Sequence, residues 1–405
     1  MKIIHTADWH LCDRLGRIDR SHDLKARVEK VASLCEEHAA DVLLIAGDLF
    51  SEQAAVDDMT EALRHLHRTF APFFGRGGTV LAITGNHDRE GRINMVRAGM
   101  TLAAPAAGSE SRLAPGRMYL VNGRAVAVLS SATGEHVQFV LVPYPLAHRY
   151  ELSAAEYRTK EEENRLLHGC VADWIRSVSS RPDFNRGLPT VLAAHLHVRG
   201  SEVHTLYKLT EREDVVFDPG FLPTAWAYVA LGHVHKPQKL NGLAHVRYPG
   251  SLDRLDFGER HDERGVLLVD IGPTGLCSEP VWLTVEPTPF HDIVVTDPEA
   301  DLPKLAEQYL DREMAIVRVT VTPTSGGPPR DEIVRELRRL FPRLFLPVTW
   351  ADSGSARDDA ATQFVPREGF ATTVRCYLAE RLAQDTDKDA VLALAEEYLT
   401  EGGEA

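Results

Sequence analysis

The chain has 405 residues, 44% of them apolar, enough to bury a full core and to form two or three domains rather than one. Its formal net charge of −14 excludes a protein that coats nucleic acid through a general basic field, so any such contact has to be local. No apolar run approaches the length that spans a bilayer, and the first eight residues turn polar too soon for a secretory leader, so a cytoplasmic location is expected. The five cysteines, Cys12, Cys35, Cys170, Cys277 and Cys376, are scattered without C-x-x-C spacing, and are read as reduced and mostly structural.

Up to about residue 286, short apolar runs alternate with amphipathic segments, as they do when strands and helices build a sheet covered on both faces. Strands are predicted at 2–4, 41–46, 79–83, 125–129, 139–142, 190–194, 228–231 and 265–270, and helices at 27–38 and 57–70. Residues 103–116, rich in Ala, Gly, Pro and Ser, are predicted to be a loop. Pro287 and Pro289 resist both helix and central strand and make 285–289 a linker. Beyond it a small α+β domain is predicted: strand 293–295, helix 303–310, strand 315–321, helix 331–340, strand 344–349. Residues 352–362 are polar and expected to be mobile. From 371 onward the chain is predicted helical, with Val391, Leu392, Leu394, Ala395, Tyr398 and Leu399 as an apolar stripe. The expected partition is therefore 1–285, 286–370 and 371–405.

Polar motifs follow the predicted buried strands: Asp8-Trp9-His10, Gly47-Asp48, Gly85-Asn86-His87-Asp88, His195, and Gly232-His233-Val234-His235. In open α/β sheets ligands collect at such strand ends. Asp8 and His10 lie two apart, as do His233 and His235, so in extended chain each pair points to one side and can grip one ion. Asp8, His10, Asp48, Asn86, His195, His233 and His235 together offer enough oxygen and imidazole ligands for two ions sharing a carboxylate, with Asp48 the natural bridge. Mixed ligation without thiolate favours Mn²⁺ or a similar divalent ion such as Mg²⁺ over structural zinc. Two such ions activate a water and neutralise a phosphoryl oxygen, which points to phosphoester hydrolysis. His87 is assigned to the phosphate or the leaving oxygen. Asp88 either orients that imidazole or caps a helix beginning near residue 89. Glycines 47, 85 and 232 are expected to let the chain turn sharply out of each strand. His197 competes with His195 as a ligand. Arg14, Arg17 and Arg20, and Arg89, Arg92 and Arg97, are candidate positive patches beside these motifs, or simply solvated helix surface.

The five motifs in this order resemble the calcineurin-like metallophosphoesterase superfamily. Longer strings, among them 5–11, 46–50, 194–196, 228–238, 248–252 and 256–259, narrow the resemblance to its bacterial DNA-processing nuclease branch, strongly to about residue 270 and loosely beyond. The resemblance implies a metallophosphoesterase-type β-sandwich flanked by helices, followed by a DNA-capping α+β domain and a helical tail that docks on a coiled-coil ABC-type ATPase partner. It also implies one ion on Asp8, His10, Asp48 and His235, the other on Asp48, Asn86, His195 and His233, and His87 as the catalytic histidine. The implied activity is manganese-dependent double-strand exonuclease from three-prime ends, single-strand endonuclease and hairpin opening, by an enzyme that pairs through the helices after the second and third motifs. Met59, Leu63 and Leu66 on 57–70 suit that pairing, or the core of one chain. Ser51 stands where some relatives carry a second histidine. A small-molecule phosphodiesterase, a phosphoprotein phosphatase and a non-catalytic scaffold are the competing readings; the second domain argues for the first reading, and intact ligands argue against the last.

Overall fold

The computed structural model describes residues 1–103, 112–203, 214–222, 225–324, 326–351, 388 and 391–395. Two seven-stranded sheets are stacked within it. In the first, the order is Gly275–Leu276, Gly265–Gly272, Lys2–Thr6, Val42–Ala46, Thr79–Ile83, Met118–Val121, with Val281–Thr284 also on Gly265–Gly272. The second runs Gln238–Lys239, Val246–Tyr248, Tyr228–Gly232, Thr190–His195, His136–Val142, Ala125–Ser130, Arg112–Leu113. The central strands of each are parallel, so their carboxyl ends share one edge.

Alternation along each strand decides what lies between the sheets. Ile3, Val42, Leu44, Leu81 and Ile83 face Phe139, Leu141, Val191, Ala193 and Ala230 across the sandwich. Their neighbours Ile4, Leu43, Ile45, Val80 and Ala82 face outward, under the helices Ser21–Glu37 and Val56–Gly75. The helix Lys160–Ser177 covers the other sheet, with Leu167, Val171, Ala172 and Ile175 on Val140, Leu192 and Val229. Both faces of the central strands are therefore dry, which is why Val42–Ala46 and Thr79–Ile83 are fully buried continuous apolar runs.

Inside the sandwich His5 is fully buried, with Nδ1 2.9 Å from the Tyr228 hydroxyl. Burial pushes this imidazole down to about 3, against a small opposing effect of the Leu231 backbone. An unfolded His5 takes up its proton near pH 6.5 and the folded one only near 3, so the stability its neutral ring contributes is present above 6.5 and is lost as pH falls through that window. Urea unfolding at about pH 7.5 and pH 5 should show a loss roughly 2 kcal/mol smaller in His5→Gln than in the parent chain. Equal losses in the two proteins would remove His5 as a source of acid sensitivity.

Every strand predicted before residue 286 is present, most of them a residue or two longer. Among strands longer than two residues, three were not predicted: Met118–Val121 and Val281–Thr284, which are largely half-buried, and Val246–Tyr248, which is only three residues long. The helix Lys160–Ser177 was also missed. The predicted loop at 103–116 holds the two-residue strand Arg112–Leu113, with 104–111 outside the described residues.

After residue 289 the strands Phe290–Val295, Ile316–Val321 and Thr349–Trp350 pair in parallel, with the helices Pro298–Gln308 and Arg330–Leu340 as crossovers. The predicted element order is kept, but parallel pairing makes this a β-α-β-α-β unit rather than a segregated α+β one. It has its own core, including Val295, Val317, Val319, Leu337 and Phe341. The strand predicted at 344–349 shrinks to its last residue and Trp350; Pro347, with no N–H to give to a ladder, follows a cis peptide bond.

This unit is joined to the sandwich by buried charge. Arg20 is fully buried between Asp13 at 3.3 Å and Asp253 at 3.2 Å, and Asp253 also accepts from the backbone and hydroxyl of Thr288 at 2.8 and 2.5 Å. Arg343 pairs with Asp23, and Leu15, Ile18 and Phe345 pack around Phe257, Phe290 and Ile316. Residues 1–351 accordingly form one compact unit, and 352–405 a second. Of the expected mobile stretch and helical tail, only Lys388 and the helical run 391–395 lie within the described residues, with Val391 and Leu394 exposed. Among the described residues no helix is long and apolar enough to cross a membrane.

Candidate metal centre

Seven side chains gather where the parallel strands of both sheets end. The loop after Lys2–Thr6 brings Asp8 and His10, the turn after Val42–Ala46 brings Asp48, and the turn after Thr79–Ile83 brings Asn86. From the second sheet come His195, at the last position of its strand, and His233 and His235, just beyond Tyr228–Gly232. Asp8, His10, Asp48 and His233 all have left-handed backbone, with φ of 51°, 45°, 49° and 94°. Non-glycine residues adopt that conformation at a cost of order 1–3 kcal/mol, so four ligand positions hold strain that the surrounding sheets support.

The glycines act differently from one another. Gly47 does turn through φ 102°, and a Cβ there would fall 1.9 Å from His195 Nδ1. Gly85 and Gly232 are required by close approach and not by a turn: an added Cβ would meet Asp48 Oδ1 at 2.1 Å and the Ala46 carbonyl at 1.8 Å, respectively.

The donors converge as two overlapping sets. His195 Nε2 lies 3.3 Å from Asp48 Oδ2 and 3.1 Å from Asn86 Oδ1, while His233 Nδ1 lies 3.0 Å from the same amide oxygen. On the other side of Asp48, His10 Nε2 is 3.7 Å from Oδ2, and His235 Nε2 is 4.0 Å from Asp8 Oδ1. Asp48 stands between the sets. An outer hydrogen bond orients the ring: His195 Nδ1 donates to the Ala46 carbonyl at 2.8 Å, which directs Nε2 inward at two oxygens.

The buried carboxylates and imidazoles perturb one another strongly. Burial opposes a charge on His195, but Asp48 and Asp8 outweigh it and raise the imidazole to about 9; for His235, burial is likewise outweighed, by Glu259 and Asp8, again to about 9. Burial pushes Asp48 up, yet His195 and His10 hold it well below the carboxylate range, whereas burial leaves Asp8 raised. Burial drives His10 well down, against the pull of Asp48, so its ring is neutral and its lone pair is free. His10 Nε2 is buried without a hydrogen-bond partner. A buried orphan nitrogen beside two carboxylates is what a divalent ion would satisfy, and this donor set fits a pair of such ions.

Among the remaining expectations, His87 sits at the rim, partly exposed, its ring 4.9 Å from that of His10 and its backbone N–H donating to Asp48 Oδ1 at 2.8 Å. Asp88 does neither job proposed for it. Its carboxylate accepts from the backbone N–H groups of Leu49, Phe50 and Gly85 at 3.1, 2.9 and 2.9 Å, tying the second metal loop to the third. Burial and then Asp48 push this carboxyl up to about 7, against those three donors. An Asp88→Ala variant would leave the three N–H groups buried and unpaired, at about 1–3 kcal/mol each, so urea unfolding should register at least ~3 kcal/mol of destabilisation. A change within about 0.5 kcal/mol would show that the brace is not needed.

His197 turns away from the two donor sets around Asp48, with Nδ1 3.1 Å from Asp214 Oδ2, whereas His195 faces them. Ser51 bonds Asp13 at 3.3 Å. The arginine patches thin out: Arg20 is buried in the joint, Arg92 bonds the Ala54 carbonyl, and Arg97 bonds the Leu120 carbonyl at 2.8 Å. Arg14, Arg17 and Arg89 are exposed, with Arg89 3.2 Å from Glu52. Two carboxylates that were not among the candidate site residues stand behind the histidines, Glu259 from the 256–259 string and Asp214 from no motif. Asp214 Oδ2 is 2.7 Å from His233 Nε2, and Glu259 Oε1 is 2.9 Å from His235 Nδ1.

Residues 1–237 match the family described as calcineurin-like phosphoesterase. Among curated proteins, the chain is 27% identical over 277 residues to one from Rhodobacter capsulatus named as the SbcD component of the nuclease SbcCD, covering 67% of this chain and 66% of that one. It is also 27% identical over 281 residues to the Escherichia coli K12 protein of the same name, covering 66% and 64%. The chain thus spans about two thirds of the length of these relatives. Among solved structures, a dimetal phosphatase from Danio rerio superposes with a TM-score of 0.41 at 11% identity, covering 71% of this chain and 99% of that one.

Proposed function

The chain belongs to the calcineurin-like phosphoesterase family, and from that premise we propose that it is a metal-dependent DNA nuclease, the SbcD-type member of a complex with an SbcC ATPase. The observation that carries the reading is the pair of overlapping ligand sets around Asp48. Asp8, His10, Asp48 and His235 would hold one ion, and Asp48, Asn86, His195 and His233 the other. Bound there, two divalent ions supply a water-derived nucleophile near neutral pH and neutralise charge on a phosphoryl oxygen.

The chain supplies the rest. Its sheets fix the ligands in strained backbone before substrate arrives, so little reorganisation is left for the reaction. His87, at the rim beside His10, is placed to hydrogen-bond a phosphate oxygen or give a proton to the leaving oxygen. The similarity to proteins named as components of the nuclease SbcCD supports DNA as the substrate. The finer activities follow in the same reading: Mn²⁺ as the working ion, double-strand exonuclease from three-prime ends, single-strand endonuclease and hairpin opening, in the cytoplasm at the nucleoid, for repair, replication and recombination.

In that reading residues 286–370 cap the DNA and 371–405 dock on the ATPase. Two copies pair within a heterotetramer through Val56–Gly75 and Glu90–Ala103. An apolar cavity of about 590 Å³ between those helices, lined by Leu63, Leu66, Phe70, Val96 and Met100 and flanked by exposed Met95, supports the pairing. The test is hydrolysis of an end-labelled DNA hairpin by the purified chain with Mn²⁺, Mg²⁺ or chelator. Cleavage that needs the ion supports a nuclease; two bound ions without cleavage, with and without the ATPase, would move the reading to a different phosphoester.

A further inference from the structure

Each histidine of the 232–235 motif presents one nitrogen inward and gives the other to a buried carboxylate. For His233 that carboxylate is Asp214, 2% exposed. Its Oδ2 accepts from His233 Nε2 at 2.7 Å and His197 Nδ1 at 3.1 Å, and its Oδ1 from the Tyr144 hydroxyl at 3.0 Å and the Val215 backbone at 2.8 Å. Asn164 Nδ2 donates to its backbone carbonyl at 3.0 Å. The Tyr144 ring also lies nearly parallel to that of His233, centroids 5.8 Å apart and 27° between planes. Hydrogen bonding and ring contact thus fix His233 from two directions.

We propose that Asp214, seated by Tyr144 and His197, is a positioning residue that holds the Nε2–H tautomer of His233 and so leaves the Nδ1 lone pair, beside the Asn86 amide oxygen, for the second ion. A proton committed to Asp214 cannot sit on Nδ1, and a carboxylate hydrogen-bonded to the far nitrogen makes the near one a better donor to a cation. Glu259 stands in the same relation to His235, with Nδ1 and Nε2 exchanged. His197, Asp214 and His233 are close enough to form an ion site of their own. In the hydrogen-bonded arrangement the two oxygens of Asp214 accept from four donors instead, and the number of ions bound distinguishes the two states.

The inference rests on the metal-centre reading and is tested by titrating Mn²⁺ into the full-length chain by calorimetry, with Asp214→Asn and Tyr144→Phe beside it. The parent chain should take up two ions. In Asp214→Asn one should bind about 10–100-fold more weakly while the other is unchanged, with the metal-free protein still folded by circular dichroism. Tyr144→Phe, which keeps the carboxylate and removes one of its donors, should weaken the same ion by a smaller factor, and Asp214→Glu should restore part of the loss.

Two parental affinities in Asp214→Asn would overturn the role. So would equal weakening of both ions with a fall in melting temperature, which would make Asp214 merely structural. A third ion on the parent chain would assign the cluster to metal binding instead. If Asp214→Asn does not fold, Tyr144→Phe decides alone, and unchanged affinities there overturn the proposal. Failure of the parent chain to bind two ions would instead sink the metal-centre reading itself.

Discussion

An Asp48→Ala variant should retain neither ion at micromolar Mn²⁺ and should lose hydrolysis by at least ~10³-fold, the largest single effect expected in this chain. The reason is position. Its Oδ2 faces His195 on one side and His10 on the other, and its Oδ1 holds the backbone of His87. Removing it takes the shared anion from both ligand sets and frees the loop that carries Asn86 and His87. It also leaves His10 neutral and without the carboxylate that favours a cation beside it. Fold loss is not the expected cause, because the deletion relieves repulsion on Asp8 and Asp88, both of which Asp48 pushes upward. Calorimetry, circular dichroism and the hairpin assay on the same preparation separate these effects. Two tightly bound ions in the variant would rule Asp48 out as a bridge.

The second large effect is expected at His87. Its ring is partly exposed, no donor set for either ion depends on it, and its link to the centre runs through its backbone, which survives truncation. His87→Ala should therefore bind both ions with parental affinity and lose about 10²–10⁴ in kcat, the range for a positioned general acid, with little change in KM. His87 lies with His10 and Asp48 within ligand-forming distance, so a role as an occasional ligand is the competing account. Loss of one ion in the calorimeter would establish that account and remove His87 as the proton donor.

Why some of this was legible in the sequence and some was not follows from where the information sits. The ligands lie in short strings directly after buried strands, so a run such as Val42–Ala46 announces both the strand and the place of Asp48. Helix Lys160–Ser177 left a readable signal too: Thr159 caps it by accepting from Glu162 at 3.2 Å, and its apolar residues recur at helical spacing. Its many charged residues hid that pattern. Asp214 left no such trace, because it follows Glu211, Arg212 and Glu213 and looks like part of a solvated charge run. Only the fold carries it to His233. Asp88 was misjudged for a related reason. Its partners are backbone N–H groups on a different loop, and a side chain that bonds backbone gives no residue pattern to read.

The chain at 250–253 has a mechanical consequence. Leu252 donates its N–H to the carbonyl of Asp8 at 3.2 Å, Ser251 to that of His235 at 3.2 Å, and the next residue, Asp253, anchors Arg20 and Thr288. Three consecutive residues therefore link the start of the small unit after residue 289 to the loops that carry Asp8 and His235. Swinging that unit away would lift Phe290 off the buried Arg20 guanidinium, so the unit is braced on the same segment that steadies the loops of Asp8 and His235.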